Sequence, residues 1–100
     1  MRLKKNEIEA IKKVTKEIFG QDAIVQLFGS RTNDALKGGD IDLLIHCNRT
    51  ISSSERYQLK IEFLVQLKKV IGDQKIDVLI EGKQQQSNFF QSVKNEGIRL

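Results

Sequence analysis

Two aspartates, Asp40 and Asp42, stand two residues apart at the start of the apolar run Ile41-Asp-Leu-Leu-Ile-His-Cys47. A strand alternates its side chains, so this spacing sets both carboxylates on one face. A third carboxylate, Asp77, sits inside the apolar stretch Ile76-Asp-Val-Leu-Ile80. Burying an aspartate in a sheet is costly without compensation, and three on neighbouring strands repel one another and raise their pKa values. A divalent cation removes that conflict. Hard oxygen ligands suit magnesium, which keeps waters and completes its shell with carboxylates and substrate phosphates. Two such ions about 4 Å apart stabilise both the attacking and the leaving oxygen of an in-line displacement at phosphorus. The second feature is Gly29-Ser30, at the exit of the run Ala23-Ile-Val-Gln-Leu-Phe28. A glycine lets the backbone approach a phosphate closely. The serine offers a hydroxyl and a backbone N–H to phosphate oxygens, and Arg31 adds a bidentate contact.

Each of these residues has an ordinary explanation alone. Asp40 follows Gly38-Gly39 and suits a turn, Asp77 suits the solvent side of a one-sided strand, and Gly-Ser suits any turn. Asp42 is harder to dismiss, because Ile41, Leu43, Leu44 and Ile45 surround it. Other chemistries lack their residues. One His and one Cys, adjacent at His46 and Cys47, cannot make a four-ligand zinc site. The same His stands at a strand end with no nucleophile elbow near it, which excludes a Ser-His-Asp hydrolase.

The elements that must position these groups follow from periodicity. Residues 6–19 are expected to be helical, with Ile8, Ile11, Val14 and Ile18 on one stripe, Asn6 and Glu9 as a capping box and Gly20 as the stop. Strands are expected over 23–28, 40–47 and 75–80. The stretch from Arg31 to Gly39 reads mostly as a loop, residues 48–51 as a turn, and Glu81-Gly82 as another turn. Ser52 with Glu55 opens a second helix running to Ile71, whose inner stripe is Leu64, Leu67 and Ile71 with help from Tyr57 and Ile61. A last helix is expected over 85–95, with Phe89, Phe90 and Val93 available for packing. This order describes a small α/β (α+β) domain: a mixed sheet of about three or four strands flanked by helices.

The length, 100 residues, allows a single domain spanning 1–100. A domain this small leaves much apolar surface uncovered, so a homo- or hetero-oligomeric partner is expected. The 17 Lys and Arg outnumber the 13 Asp and Glu, which favours acidic ligands. The basic residues include Lys12, Lys13 and Lys16 on one helical stretch and Lys60, Lys68 and Lys69 on another. Neither stretch carries the interleaved aromatics of a nucleic-acid stacking surface, so direct nucleic-acid binding is not expected. Cys47 reads as a buried, reduced core residue. With no signal-peptide pattern and no apolar run near the ~20 residues of a membrane span, a soluble cytoplasmic protein is expected.

Gly29-Ser30, nine further residues, Asp40-Ile-Asp42, and a later strand aspartate at Asp77 together resemble the polymerase-β-type nucleotidyltransferase superfamily. The fragments Phe28-Gly-Ser-Arg31 and Gly39-Asp-Ile-Asp-Leu-Leu-Ile45 are especially similar to its minimal prokaryotic nucleotidyltransferases. The resemblance covers residues 24–80 and implies a nucleotidyltransferase fold. It implies that Asp40, Asp42 and Asp77 bind two magnesium ions, with Asp77 also assisting deprotonation of the acceptor. Gly29, Ser30 and Arg31 would then hold the triphosphate of ATP. The minimal group is known for pairing with a small helical HEPN ribonuclease toxin, as an antitoxin that transfers AMP to a toxin tyrosine. The resemblance therefore implies a protein adenylyltransferase, with a non-catalytic binding module as the alternative.

Overall fold

The computed structural model describes residues 3–29, 39–83 and 96–100. The sequence-predicted helix over 85–95 and the loop over 31–38 lie outside the described residues.

The first helix, α1, spans Lys5–Phe19 and buries Ile11 and Val14, as the periodicity predicts, with Ala10 and Thr15 beside them. Its cap differs from expectation. The helix starts one residue earlier than read, and Glu7 rather than Glu9 closes the first turn, its Oε1 accepting from the Lys4 backbone N–H at 2.8 Å. The reason is tertiary. Glu7 is buried, and Gln74 Nε2, from far along the chain, donates to its Oε2 at 2.6 Å. The same Gln74 Nε2 donates to the carbonyl of Ile71. One side chain thus ties the start of the first helix to the end of the second.

Strand β1 spans Ile24–Phe28 and β2 spans Ile41–His46. Helix α2 (Ser53–Ile71) opens as expected, with Ser52 Oγ accepting from the Glu55 N–H at 3.2 Å. Strand β3 spans Ile76–Glu81, and β4 is the two-residue Ile98–Arg99. The sheet order is β3-β2-β1-β4. β1 runs antiparallel to both β2 and β4, and β2 runs parallel to β3. A parallel pair needs a long crossover, which α2 supplies. The result is a mixed four-stranded sheet with helices, the α+β architecture expected.

Alternation divides the sheet into two faces. Val25, Leu27, Ile41, Leu43, Ile45, Ile76, Val78 and Ile80 are buried in one core with Ile11, Val14, Phe63 and Leu67 of the helices. The rings of Phe19 and Phe63 lie 5.8 Å apart and tilted, so they lock the two helices together. The inner stripe of α2 is therefore Phe63 and Leu67, with Leu59, Leu64 and Ile71 partly buried beside them. Tyr57 and Ile61, expected inside, are 67% and 45% exposed. Both faces of α2 carry apolar side chains, and Phe63 is the one the core takes. Cys47 is fully buried, as expected, and burial pushes its thiol up to about 11.

Candidate active site

The even-numbered side of β2 faces away from the core formed with α1 and α2, with Leu44 buried in its middle, and the described candidate residues meet at one end of it. In the parallel ladder Asp42 is paired with Asp77, and across the antiparallel ladder it faces Phe28, the last residue of β1. Asp40 precedes β2 by one residue, and its charge acts on Asp42. Three carboxylates on two neighbouring strands are thus brought together, as expected from the sequence. Asp42 and Asp40 are half-buried, and Asp77 is exposed.

The electrostatics record the crowding. The carboxyl of Asp42 is held above its ordinary range by burial first, then by the charges of Asp77 and Asp40 and by a side-chain hydrogen bond with Asp77. The Lys75 ammonium opposes this rise. Lys75 Nζ lies 3.5 Å from Asp40 Oδ2. Lys75 was not among the residues singled out by sequence, yet the signal was there. It precedes Asp77 by two residues, so alternation places it on the same side of the chain.

Gly29 has a structural reason to be glycine. Its φ is +79°, a region other residues avoid. A Cβ there would run into the carboxylate of Asp42. The bare backbone at the end of β1 is what allows Asp42 to stand where it does. Ser30 and Arg31 lie outside the described residues.

Among the described residues the groups on offer here are carboxylate oxygens, which suit a hard divalent ion. Among the described residues, however, no group of three or more His, Cys, Asp or Glu side chains is arranged to hold a metal ion as it stands. Asp40 is paired with Lys75, and Asp42 shares a hydrogen bond with Asp77 that leaves their mutual repulsion in place.

The far end of the same face holds a different pair. His46 and Glu81 are partners in the β2–β3 ladder, and His46 Nδ1 is 3.1 Å from Glu81 Oε2. Glu81 is buried. It closes β3 rather than forming the turn predicted for Glu81-Gly82, because the ladder continues far enough for His46 to partner it.

A family model described as the nucleotidyltransferase domain matches residues 8–100. The chain belongs to the nucleotidyltransferase domain family. No curated protein matches it at a significant level. Membership fixes the class of chemistry as nucleotidyl transfer, a transferase of the EC 2.7.7 type acting on a nucleotide substrate. The nucleotidyltransferase contains no described helix that is long and apolar enough to cross a membrane.

Proposed function

We propose that this nucleotidyltransferase is a minimal, magnesium-dependent adenylyltransferase that moves AMP from ATP to a hydroxyl of a protein, a tyrosine of a small helical HEPN-type ribonuclease toxin. The observation that carries the catalytic part is the pairing of Asp42 with Asp77 on adjacent parallel strands, with Asp40 beside them and Gly29 against Asp42. Like charges gathered at one end of a sheet cost stability and make sense where divalent cations that accompany a triphosphate are to be received.

Asp40 and Asp42 are the residues that would hold magnesium, and Asp77 would join them. Bound there, the ions supply charge neutralisation for the triphosphate. The backbone at Gly29, with Ser30 and Arg31 after it, is assigned to the triphosphate. Asp77, the most exposed of the three carboxylates, is assigned the acceptor. The acceptor oxygen bonds to the α-phosphorus, the bond to pyrophosphate breaks, and the hydroxyl proton passes to the Asp77 carboxylate. Catalysis rests on positioning and electrostatics rather than on a covalent enzyme intermediate. Lys75 is a positioning residue: by engaging Asp40 it moderates the repulsion that Asp42 feels.

A binding role without transfer is favoured by one other observation. Tyr57, Ile61 and Val65, at helical four-residue spacing along α2, are 67%, 45% and 48% exposed. An antitoxin that acted by complex formation alone would use such a stripe. Intact-mass spectrometry separates the two readings. A purified HEPN-type partner incubated with the chain, ATP and magnesium should gain one or more AMP units, and the gain should vanish with Asp42→Asn. A stable complex with no added mass would transfer the assignment to neutralisation by binding.

A further inference from the structure

Away from the carboxylates, three cations without ion-pair partners among the described residues line one hollow. Lys12 and Lys16 are one turn apart on α1, and Arg99 of β4 stands across from them; together they line a hollow of about 150 Å³ floored by Ala23, Ile24 and Leu100. Among the described residues none of these three cations forms an ion pair, whereas Lys13, Lys68, Lys75 and Arg49 each have a carboxylate. Two lysines at this spacing repel each other on a helix face, and Arg99 adds a third charge. Thr15, also in the wall, already donates its hydroxyl to the Ile11 carbonyl at 2.6 Å, so it does not compete with the cations as a donor.

The hollow does not stop at the edge of the sheet. Ile24 and Arg99 also line a second hollow, of about 350 Å³, with Gln26 and His46. Gln26 and Arg99 are partners in the β1–β4 ladder, so the two hollows meet at that edge. From Ile24 to Phe28, which faces Asp42, is four residues of strand, about 13 Å at the usual rise. A four-residue extended peptide covers the same span.

We propose that the cleft between α1 and β4 is the docking site for an acidic segment of the protein acceptor, whose side-chain carboxylates meet Lys12, Lys16 and Arg99 at the β4 edge of the sheet that carries the three aspartates. The proposal rests on the adenylyltransferase reading for what lies at the far end, but the cleft itself does not. Charge complementarity selects an anionic ligand. The described wall favours a protein one: Ala23, Ile24, Val25 and Leu100 are aliphatic, and its one ring, His46, already partners Glu81. The cations also cluster around one small hollow, rather than forming the long track that several phosphates require.

The test uses fluorescence anisotropy of the full chain with a labelled short peptide of alternating Glu and Leu, without ATP or magnesium. The peptide should bind, its Gln-for-Glu counterpart should not, and K12Q/K16Q/R99Q should weaken binding roughly tenfold, as three exposed cation contacts imply. All three side chains are exposed, so the triple variant retains the fold. Asp42→Asn should leave peptide binding unchanged. Equal affinity of the triple variant for the peptide would overturn the proposal. So would tighter binding of a charge-matched oligouridylate that the triple variant loses, which would assign the cleft to nucleic acid. Because no transfer is read, a failed adenylylation assay leaves this result standing. Conversely, intact adenylylation with no peptide binding would remove the cleft alone.

Discussion

Asp42–Asp77 and His46–Glu81 are two rungs of the same parallel ladder, on the same face of the same two strands, four residues apart. Chemically they are opposites. At one end two carboxylates face each other with a third close by, half-buried or exposed, and burial and repulsion hold Asp42 above its ordinary range. At the other end a carboxylate that is almost wholly buried has an imidazole partner at 3.1 Å. Buried polar groups in stable structure find partners. The Glu81 end obeys that rule, and the Asp42 end carries an unresolved conflict of charge. The contrast sets a polar pair that closes the sheet beside carboxylates that we assign to a ligand, although all lie on one face of the same two strands.

The largest expected effect breaks the conflicted rung. Asp42→Asn should lower nucleotidyl transfer by about a hundredfold to a thousandfold or more, the scale of losing one preorganised charge contact at the reacting phosphate. A steady-state rate with magnesium and ATP reads it, and a rate near that of the parent would remove Asp42 from the site. Next comes the glycine that lets Asp42 stand there. Gly29→Ala forces a Cβ into the Asp42 carboxylate from a backbone at φ +79°. It should cost about 1–3 kcal/mol of stability in denaturant unfolding, with activity falling too. Glu81→Ala should cost a similar 1–3 kcal/mol by orphaning His46 and opening a buried gap. Unlike the first two variants, it should leave the magnesium dependence of transfer unchanged; a shifted magnesium requirement would mean that the two ends are not separate.

The smallest effect sharpens the comparison through pH. The Asp42 carboxyl is raised in the folded protein above the ordinary value of 3.8. The folded state therefore favours the protonated form. The resulting penalty is fully present above the raised value and is relieved as pH falls through it toward and below 3.8. Asparagine does not ionise. In buffer containing a chelator, Asp42→Asn should melt a few degrees above the parent at neutral pH, and the difference should shrink on acidification. A lower melting temperature for the variant at neutral pH would show that no charge conflict exists there.

Much of this arrangement was legible before any coordinates. The two-residue spacing put Asp40 and Asp42 on one face, and the Ser52–Glu55 cap fixed the start of α2, whereas the place of Asp77 beside Asp42 comes from the β2–β3 register. What was not legible depended on tertiary partners. Glu7 displaces Glu9 at the cap of α1 because Gln74 reaches it from across the fold. Phe63 rather than Tyr57 or Ile61 turns inward because α2 is apolar on two sides, and periodicity alone does not choose between them. β4 is two residues long and exists through its pairing with Gln26 and Leu27, so no local pattern announces it. The unpaired cations around Arg99 escaped for the same reason: the lysines were visible as a helical stretch, but their meeting with β4 is a product of the fold.

The central claim is that the Asp42–Asp77 end of the sheet receives a magnesium nucleotide, and it is tested most directly without any acceptor. Calorimetric titration of the chain with α,β-methylene-ATP, a non-transferable analogue, should show binding that requires magnesium and weakens at least about tenfold with Asp42→Asn. The same titration with His46→Ala should match the parent. Binding that ignored both magnesium and Asp42→Asn would contradict the account.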